Sequence, residues 1–204
     1  MSLDWRALTA AQPALAALPA SLRAIASVQP FAARLTLHRQ GQRPRAVLCV
    51  LEGEIRLVRR SPRGDEIIPQ RARSGFVAEA SLETSAYHCD VVATAAGRLL
   101  RFPSAAFRQA LQHDAAFNRA WTGHLAQEIR RLRAQCERLG LKGAAARILH
   151  YLEAEGRDGA ITLTQSRKAW AAELGLTHEV LYRTLRRLRE EGTLRIDGDR
   201  IARG

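Results

Sequence analysis

The chain has 204 residues, of which 47% are hydrophobic and 25% charged, so it is long enough for two small domains and has the composition of a globular protein. No run approaches the roughly 18 consecutive apolar residues of a membrane span, and no basic region precedes the first apolar stretch; we therefore expect a cytoplasmic protein. The formal net charge of +12 points to a polyanionic partner, most often nucleic acid.

The first 110 residues are assigned to a β domain, because residues 46 to 102 form short apolar runs separated by turn residues. The turn "SPRGD" at 61–65 predicts a hairpin, and Gly53 and Gly75 mark points where a strand ends or bends. This segment holds 15 basic and 8 acidic residues. Three explanations of that excess stay open: DNA that bends back onto the domain, an anionic effector, or solubility alone.

A long helix is predicted next, in residues 111–140. Its apolar positions are spaced by three or four residues, as in the seam of a two-helix coiled coil. The predicted seam consists of Phe117, Trp121, Leu125, Ile129, Leu132, Cys136 and Leu139. So narrow a seam favours a homodimer over the alternative, an amphipathic helix packed within its own chain. The polar residues between them, Arg138 included, are predicted to face solvent, and "LGLKG" at 139–143 ends the helix.

The remaining residues, 141–204, are read as helix, strand, two helices broken at Gly175, and a hairpin through Asp197-Gly198. This is the order of a winged helix-turn-helix. Ser166 and Thr177 are predicted N-caps of its two central helices, and Ala171 is expected where these helices cross. The predicted fold class is therefore α+β: an N-terminal double-stranded β-roll, a long dimerisation helix and a C-terminal winged helix-turn-helix.

The second of the two helices carries the predicted function. His178, Glu179, Tyr182 and Arg183 fall on one side of its first turn and a half, where a carboxylate and a guanidinium read cytosine and guanine edges in the major groove. Flanking cations are expected to hold phosphates. The predicted DNA-binding set is Ser166, Arg167, Lys168, Thr177, His178, Glu179, Tyr182, Arg183, Arg186 and Arg187. The alternative is that the winged domain binds protein rather than DNA.

The whole chain resembles the CRP/FNR superfamily of transcription regulators. The resemblance rests on "RQGQRPRAVLCVLEGEIRLVRRSPRGDEI", with Gly41 and Gly53 at the family's glycine positions, and on "LTHEVLYRTLRRLREEGTL". The FNR branch has Glu-x-x-Ser-Arg in the recognition helix, and Glu179 and Arg183 match its ends while Tyr182 replaces the serine. The resemblance implies a cyclic-nucleotide-binding-like sensor domain, double-stranded DNA with a palindromic site, a homodimer and RNA polymerase as partners.

The sensor domain departs from the family's nucleotide cassette. Glu79 matches the glutamate that holds the ribose, with Ala78 in place of glycine, but the phosphate-binding arginine is replaced by Tyr87 or, if the loop is shifted, by Thr84. Neither supplies a cation, so cyclic AMP is not expected as the ligand. We expect an altered effector pocket of Glu79, Ser81, Ser85, Tyr87 and His88. It either takes a different effector or leaves the protein constitutively competent.

Cofactors and catalysis are not predicted. The three cysteines, Cys49, Cys89 and Cys136, are too far apart to indicate a disulfide framework or a metal cluster. Some relatives bind haem in this domain, so haem on His88 or Cys89 stays as an alternative, although neighbouring strand residues point to opposite faces. No His-Glu-x-x-His, phosphate loop or Gly-x-Ser-x-Gly elbow is present, so no catalytic residues and no enzyme are predicted.

Overall fold

The computed structural model describes residues 3–60, 66–163 and 165–204. The chain forms two compact units, residues 1–124 and 125–204. The helices are α1 (Trp5–Ala11), α2 (Ala20–Ile25), α3 (Ser104–His113), α4 (Ala115–Gly140), α5 (Ala144–Glu155), α6 (Arg167–Glu173) and α7 (His178–Glu190). Within the described ranges, none of these helices has both the length and the apolar character needed to cross a membrane.

The N-terminal unit is built on a six-stranded antiparallel sheet in the order β1-β6-β3-β4, in which β2 also pairs with β6 and β5 with β3. Its strands are β1 (Ser27–Phe31), β2 (Thr36–His38), β3 (Ala46–Arg60), β4 (Glu66–Ala72), β5 (Gly75–Val77) and β6 (Asp90–Pro103). Strands β3 and β4 pair as the predicted hairpin, with Arg60 opposite Glu66. The predicted "SPRGD" turn between them lies outside the described residues.

Strand β3 bends at Gly53. Its residues before the bend pair with β5, and its residues after the bend pair with β4. The register of β3 against β6 shifts around this residue, and its φ is +93°. A Cβ at Gly53 would lie 2.7 Å from the carbonyl oxygen of Ala96 and 3.0 Å from the ring of Phe31. Only glycine fits both the backbone conformation and the close approach of β6.

An aromatic cluster packs helix α3 and the first turns of α4 onto the sheet. The ring of Phe107 lies 4.9 Å from that of Trp121 and 5.3 Å from that of Phe117, between ring centroids. Phe117 and Trp121 are only 2% and 7% exposed. The prediction that these two residues belong to the dimer seam is therefore wrong for this chain, because its own sheet and α3 already bury them.

The second half of α4 has an exposed apolar stripe. Ile129 and Leu132 are each 50% exposed, Leu139 and Cys136 are exposed, and Leu125 is half-buried. Arg138 departs from its predicted solvated position. It is only 1% exposed, with its guanidinium carbon 4.5 Å from the Tyr151 ring centroid and Nη2 3.5 Å from Glu155.

The C-terminal unit contains α5, α6, α7 and a three-stranded sheet in the order β7-β9-β8. Its strands are β7 (Ala160–Thr162), β8 (Leu194–Asp197) and β9 (Arg200–Arg203). Asp197 pairs with Arg200, so the hairpin loop is Gly198-Asp199, one residue later than predicted. Glycine is needed at the first loop position, where φ is +54°, and Asp197 instead ends the strand.

Candidate DNA-binding surface and effector pocket

The helix-turn-helix is fixed by caps at both helix starts and by a glycine in the turn. The hydroxyl of Ser166 accepts the amide of Ala169, and the hydroxyl of Thr177 accepts the amide of Val180, each at 3.3 Å. Both predicted caps are confirmed. Gly175 has φ +64°, and a Cβ there would lie 2.9 Å from Leu139 and 3.0 Å from Arg147. The left-handed backbone therefore favours glycine, and a side chain there would displace the ends of the Leu139 and Arg147 side chains.

Arg147 holds this turn against the end of α4 by hydrogen bonds. Its Nε donates to the carbonyl of Leu141 and its Nη2 to that of Leu139, both at 3.1 Å. The Nη1 of the same residue, Arg147, donates to the carbonyls of Leu174 at 3.2 Å and Gly175 at 3.1 Å. These carbonyls lie at the C-terminal ends of two helices, where the backbone has no partner of its own. Arg147 thereby sets how the turn sits against the end of the long helix.

Helix α7 has one buried apolar face and one exposed face that carries charged residues. Leu181, Leu185 and Leu188 are buried in the core of the unit, together with Trp170, Ala171 and Leu174 of the preceding helix. The opposite face is exposed and carries His178, Glu179, Tyr182, Arg183, Arg186 and Arg187. Within the part of the chain that the structure describes, Glu179 and Arg183 form no ion pair with each other or with another residue. Both charged groups are thus available to an external partner.

The flanking cations differ in how they are held. Arg186 and Arg187 form i,i+4 ion pairs with Glu190 and Glu191, at 3.7 and 2.8 Å. Arg167 donates to the carbonyl of Gly198 in the β8–β9 loop at 2.7 Å. Its guanidinium also lies 5.5 Å from the ring centroid of Tyr182, which itself packs 4.5 Å from His178. Arg167 therefore joins the hairpin loop to the recognition helix, while Lys168 is simply exposed.

The cassette glutamate lies in a 3₁₀ turn of the N-terminal unit, Glu79–Ser81, that follows strand β5. The residue before it, Ala78, has φ +58° and ψ +22°, in the left-handed region that favours glycine. This explains why the family pattern has glycine at this position. The chain keeps that backbone conformation with alanine, at a cost of about 1 kcal/mol.

Side chains of β5 and α4 occupy the space beside Glu79. Its carboxylate lies 3.9 Å from Nε2 of His124. The rings of Phe76, Trp121 and His124 pack against one another with centroids 4.9 to 5.4 Å apart. His124 thus stands next to the glutamate that the resemblance assigns to the ribose, and the rings of Phe76 and Trp121 pack against His124.

Of the predicted pocket residues, Ser81 contacts His88, whereas Tyr87 has other partners. The hydroxyl of Ser81 lies 2.8 Å from Nδ1 of His88, and Ser85 is exposed. Tyr87 is buried elsewhere: its ring stacks on His38 at 4.5 Å and its hydroxyl donates to the carbonyl of Ala46. Burial raises the pKa of Tyr87. Tyr87 thus packs against His38 and the start of β3, and its role in an effector pocket stays a prediction.

The two residues considered as haem ligands, Cys89 and His88, lie in different surroundings. Cys89 is buried in the sheet core, and burial raises the pKa of its thiol, which opposes the thiolate form that binds iron. His88 is exposed and held by Ser81. Both residues lie in the bend that precedes β6 and not in a strand, so the expected strand alternation does not apply to them. Across the described residues, no group of three or more His, Cys, Asp or Glu side chains is placed to hold a metal ion.

Three residues with extensive tertiary contacts were not recognised by sequence reasoning. Arg147 stands in an unremarkable helical stretch, His124 lies off the seam positions, and Arg138 follows the pattern of a solvated face. Each gains its contacts from a segment distant in sequence. No local signal identifies such residues.

Comparison with protein families matches residues 28–114 to a cyclic nucleotide-binding domain and residues 145–202 to a Crp-like helix-turn-helix domain. Together the two matches span more than half of the chain. Comparison with curated proteins gives no match.

Solved structures show the same fold. FixK2 from Bradyrhizobium japonicum is 21% identical with a TM-score of 0.63, covering 88% of this chain and 92% of its own. A putative cyclic nucleotide binding protein from Ruegeria pomeroyi is 23% identical with a TM-score of 0.62, covering 98% and 93%. DNR from Pseudomonas aeruginosa is 20% identical with a TM-score of 0.54, covering 98% and 94%.

Fold and domain matches define a transcription regulator with a cyclic nucleotide-binding domain, a long helix and a C-terminal Crp-like helix-turn-helix. This confirms the predicted fold class. The chain belongs to the CRP/FNR superfamily.

Proposed function

We propose that this protein is a sequence-specific DNA-binding regulator that acts in the cytoplasm as a homodimer on a palindromic site, without catalytic activity or cofactor. The observation that carries the proposal is the exposed pair Glu179 and Arg183 on the first turns of α7. Their helix is held by a buried leucine face, and neither charge is taken up by another described residue. Such preorganised groups suit base reading in the major groove.

The exposed stripe of α4 supports the homodimer. Ile129, Leu132, Cys136 and Leu139 leave a narrow apolar strip on a helix that is otherwise polar. A second copy of the same helix covers such a strip with matching spacing. Two copies related by a two-fold axis bring two recognition helices, and hence a palindromic site, into the complex. RNA polymerase is included as a partner on the strength of the family resemblance alone.

Independence from cyclic AMP is supported by the cassette. Tyr87, at the position of the missing arginine, is buried against His38 and itself supplies no positive charge. Glu79 already faces His124, and rings fill the adjacent space. A cyclic phosphate placed there would lack a compensating charge.

A second candidate function is an effector-gated regulator with the same DNA-binding surface. The observation that favours it is the contact between Glu79 and His124, which joins the cassette to α4. An effector that displaced the aromatic cluster would act directly on the helix that continues into the exposed stripe. In that case DNA binding requires the effector.

Selection of bound sequences from a random DNA pool tests both candidates, using the purified full chain without ligand and again with cyclic AMP. A two-fold symmetric motif, unchanged by cyclic AMP, is expected. Failure to enrich any motif without ligand favours effector gating. A motif that appears only with cyclic AMP contradicts the proposed independence.

A pair of variants then tests the recognition surface. Arg183→Ala should weaken binding by about 1–3 kcal/mol per half-site and relax preference at one base pair. Arg187→Ala, matched in size and charge on the same helix, should weaken cognate and random DNA alike and reduce the salt dependence. Equal losses on cognate and random DNA for Arg183→Ala would overturn the recognition role.

A further inference from the structure

The outer face of the N-terminal sheet carries a groove of about 410 Å³ that has no part in the cassette or in the recognition helix. It is bordered by β3, β4, β6 and the turn before β2, and the residues that give it polarity are Arg34, Glu54, Arg56, Arg71 and Thr94. The inward-facing neighbours Ile55 and Leu57 belong to the buried core. Strand alternation therefore directs Glu54 and Arg56 to the other face.

Two arginines of this groove stand directly opposite each other. Arg56 of β3 is the register partner of Arg71 of β4, and on its other side Arg56 pairs with Val92 of β6. Like charges at directly opposed positions destabilise a sheet. Neither arginine forms an ion pair with another described residue. The Nε of Arg56 is buried without a hydrogen-bond partner.

The carboxylate in the groove does not neutralise this pair. Glu54 accepts a hydrogen bond from Thr94 at 2.7 Å and pairs with Arg73 at 2.8 Å. Burial raises the pKa of Glu54, but the bonds from Thr94 and Arg73, together with the charges of Arg73 and Arg71, outweigh it and leave the pKa below its usual value. Glu54 is therefore ionised and already engaged. Among the described residues, the groove is lined by three guanidinium groups, those of Arg34, Arg56 and Arg71, and by one carboxylate.

The third arginine that lines the groove is Arg34. The amide of Arg34 donates to the carbonyl of Ala93 at 2.8 Å, which places the residue beside the Thr94 end of β6. Its φ is +68°, an uncommon conformation for a residue with a side chain. Three guanidinium groups, two from strands β3 and β4 and one from the turn before β2, thus border a single groove.

We propose that this groove binds a phosphate group, carried either by a small phosphorylated molecule or by the DNA backbone. A phosphate between Arg56 and Arg71 removes their repulsion and supplies acceptors for the unpaired Nε, in the bidentate geometry that arginine offers to phosphate. On this proposal, part of the excess of basic residues in the sensor domain forms a phosphate-binding site and does not serve solubility alone.

The test uses inorganic pyrophosphate as the small probe and a short random-sequence DNA duplex as the backbone probe, each titrated into the full chain and three variants. Arg56→Gln and Arg71→Gln should weaken binding of the recognised probe at least about tenfold. Arg43→Gln, which removes an exposed arginine of the same unit outside the groove, should leave it unchanged.

Melting temperature gives a second readout that does not require binding. Without added anion, Arg56→Gln should melt at the same temperature as the parent or higher, because the opposed charges are gone. Pyrophosphate should raise the melting temperature of the parent but not of this variant, if a small molecule is the ligand. Loss confined to the DNA titration identifies the backbone as the source.

Three outcomes overturn the proposal. One is the absence of any dependence on Arg56 and Arg71 in both titrations, which leaves solubility as the role of the charge. Another is an equal loss in Arg43→Gln, which shows a general charge effect. The third is a marked fall in melting temperature of Arg56→Gln without anion. Because pyrophosphate binding does not depend on the recognition helix, failure here is distinguishable from failure of the DNA-binding proposal.

Discussion

The hydrogen bonds of Arg147 predict that this residue stabilises the C-terminal unit more than its ordinary position in α5 suggests. In Arg147→Met the alkyl stem is kept while the guanidinium is lost. Four carbonyls then lose their donor, two of them half-buried and two exposed. With about 1 kcal/mol for each half-buried bond and about 0.5 kcal/mol for each exposed one, the free energy of unfolding should fall by about 3 kcal/mol.

The assay is urea unfolding followed by tryptophan emission, because Trp170 is fully buried in this unit and reports its unfolding. The matched control is Lys142→Met, which removes an exposed cation near the same helix end. Surface changes of this kind usually stay within about 0.5 kcal/mol. If Arg147→Met and Lys142→Met differ by less than that, the bonds to the helix ends contribute nothing and the stabilising role of Arg147 is refuted.

Three further predictions concern the dimer, the sheet and pH. Ile129→Asp should give a monomer with weak operator binding in analytical ultracentrifugation, whereas Gln127→Asp, on the same helix, should stay dimeric; a dimeric Ile129→Asp contradicts the stripe. Gly53→Ala should lower the unfolding free energy by more than Gly41→Ala. Both glycines have positive φ, but only at Gly53 would an added Cβ lie within 3 Å of backbone atoms. Equal losses, each about 1–2 kcal/mol, would show that the sheet shifts to accommodate the Cβ. Burial and then the charge of Arg101 lower the pKa of His38 below 6.5, so the unfolded chain binds protons more readily than the folded one. The free energy of unfolding should therefore fall as the pH drops from about 6.5 towards the folded pKa. In urea titrations at a series of pH values, His38→Gln should flatten this dependence.

Local patterns in the sequence predicted the elements well. Ser166, Thr177 and Gly175 were identified correctly because caps and left-handed turns depend on residues within a few positions of one another. The exposed face of α7 followed from helical periodicity in the same way. What these residues bind remains a prediction.

Burial at the ends of α4 shows where such patterns stop. Phe117 and Trp121 share the spacing of Ile129 and Leu132, yet the first pair is covered by α3 and the sheet. Arg138 follows the polar pattern but is buried against Tyr151 and Glu155 of α5. Spacing reports which side of a helix is apolar. It does not report which partner covers that side.

The residues of the cassette show the same difference between what residue identity predicts and what tertiary packing decides. The sequence by itself determined that the phosphate-binding arginine is missing and that alanine replaces a glycine, because both are matters of residue identity. Only the tertiary structure decided that Ala78 keeps the left-handed conformation and that Trp121 and His124 fill the space beside Glu79. It also set Arg56 against Arg71 across two strands. The reason is physical: chain chemistry is fixed residue by residue, whereas burial and opposed charges depend on strand register and packing between segments distant in sequence.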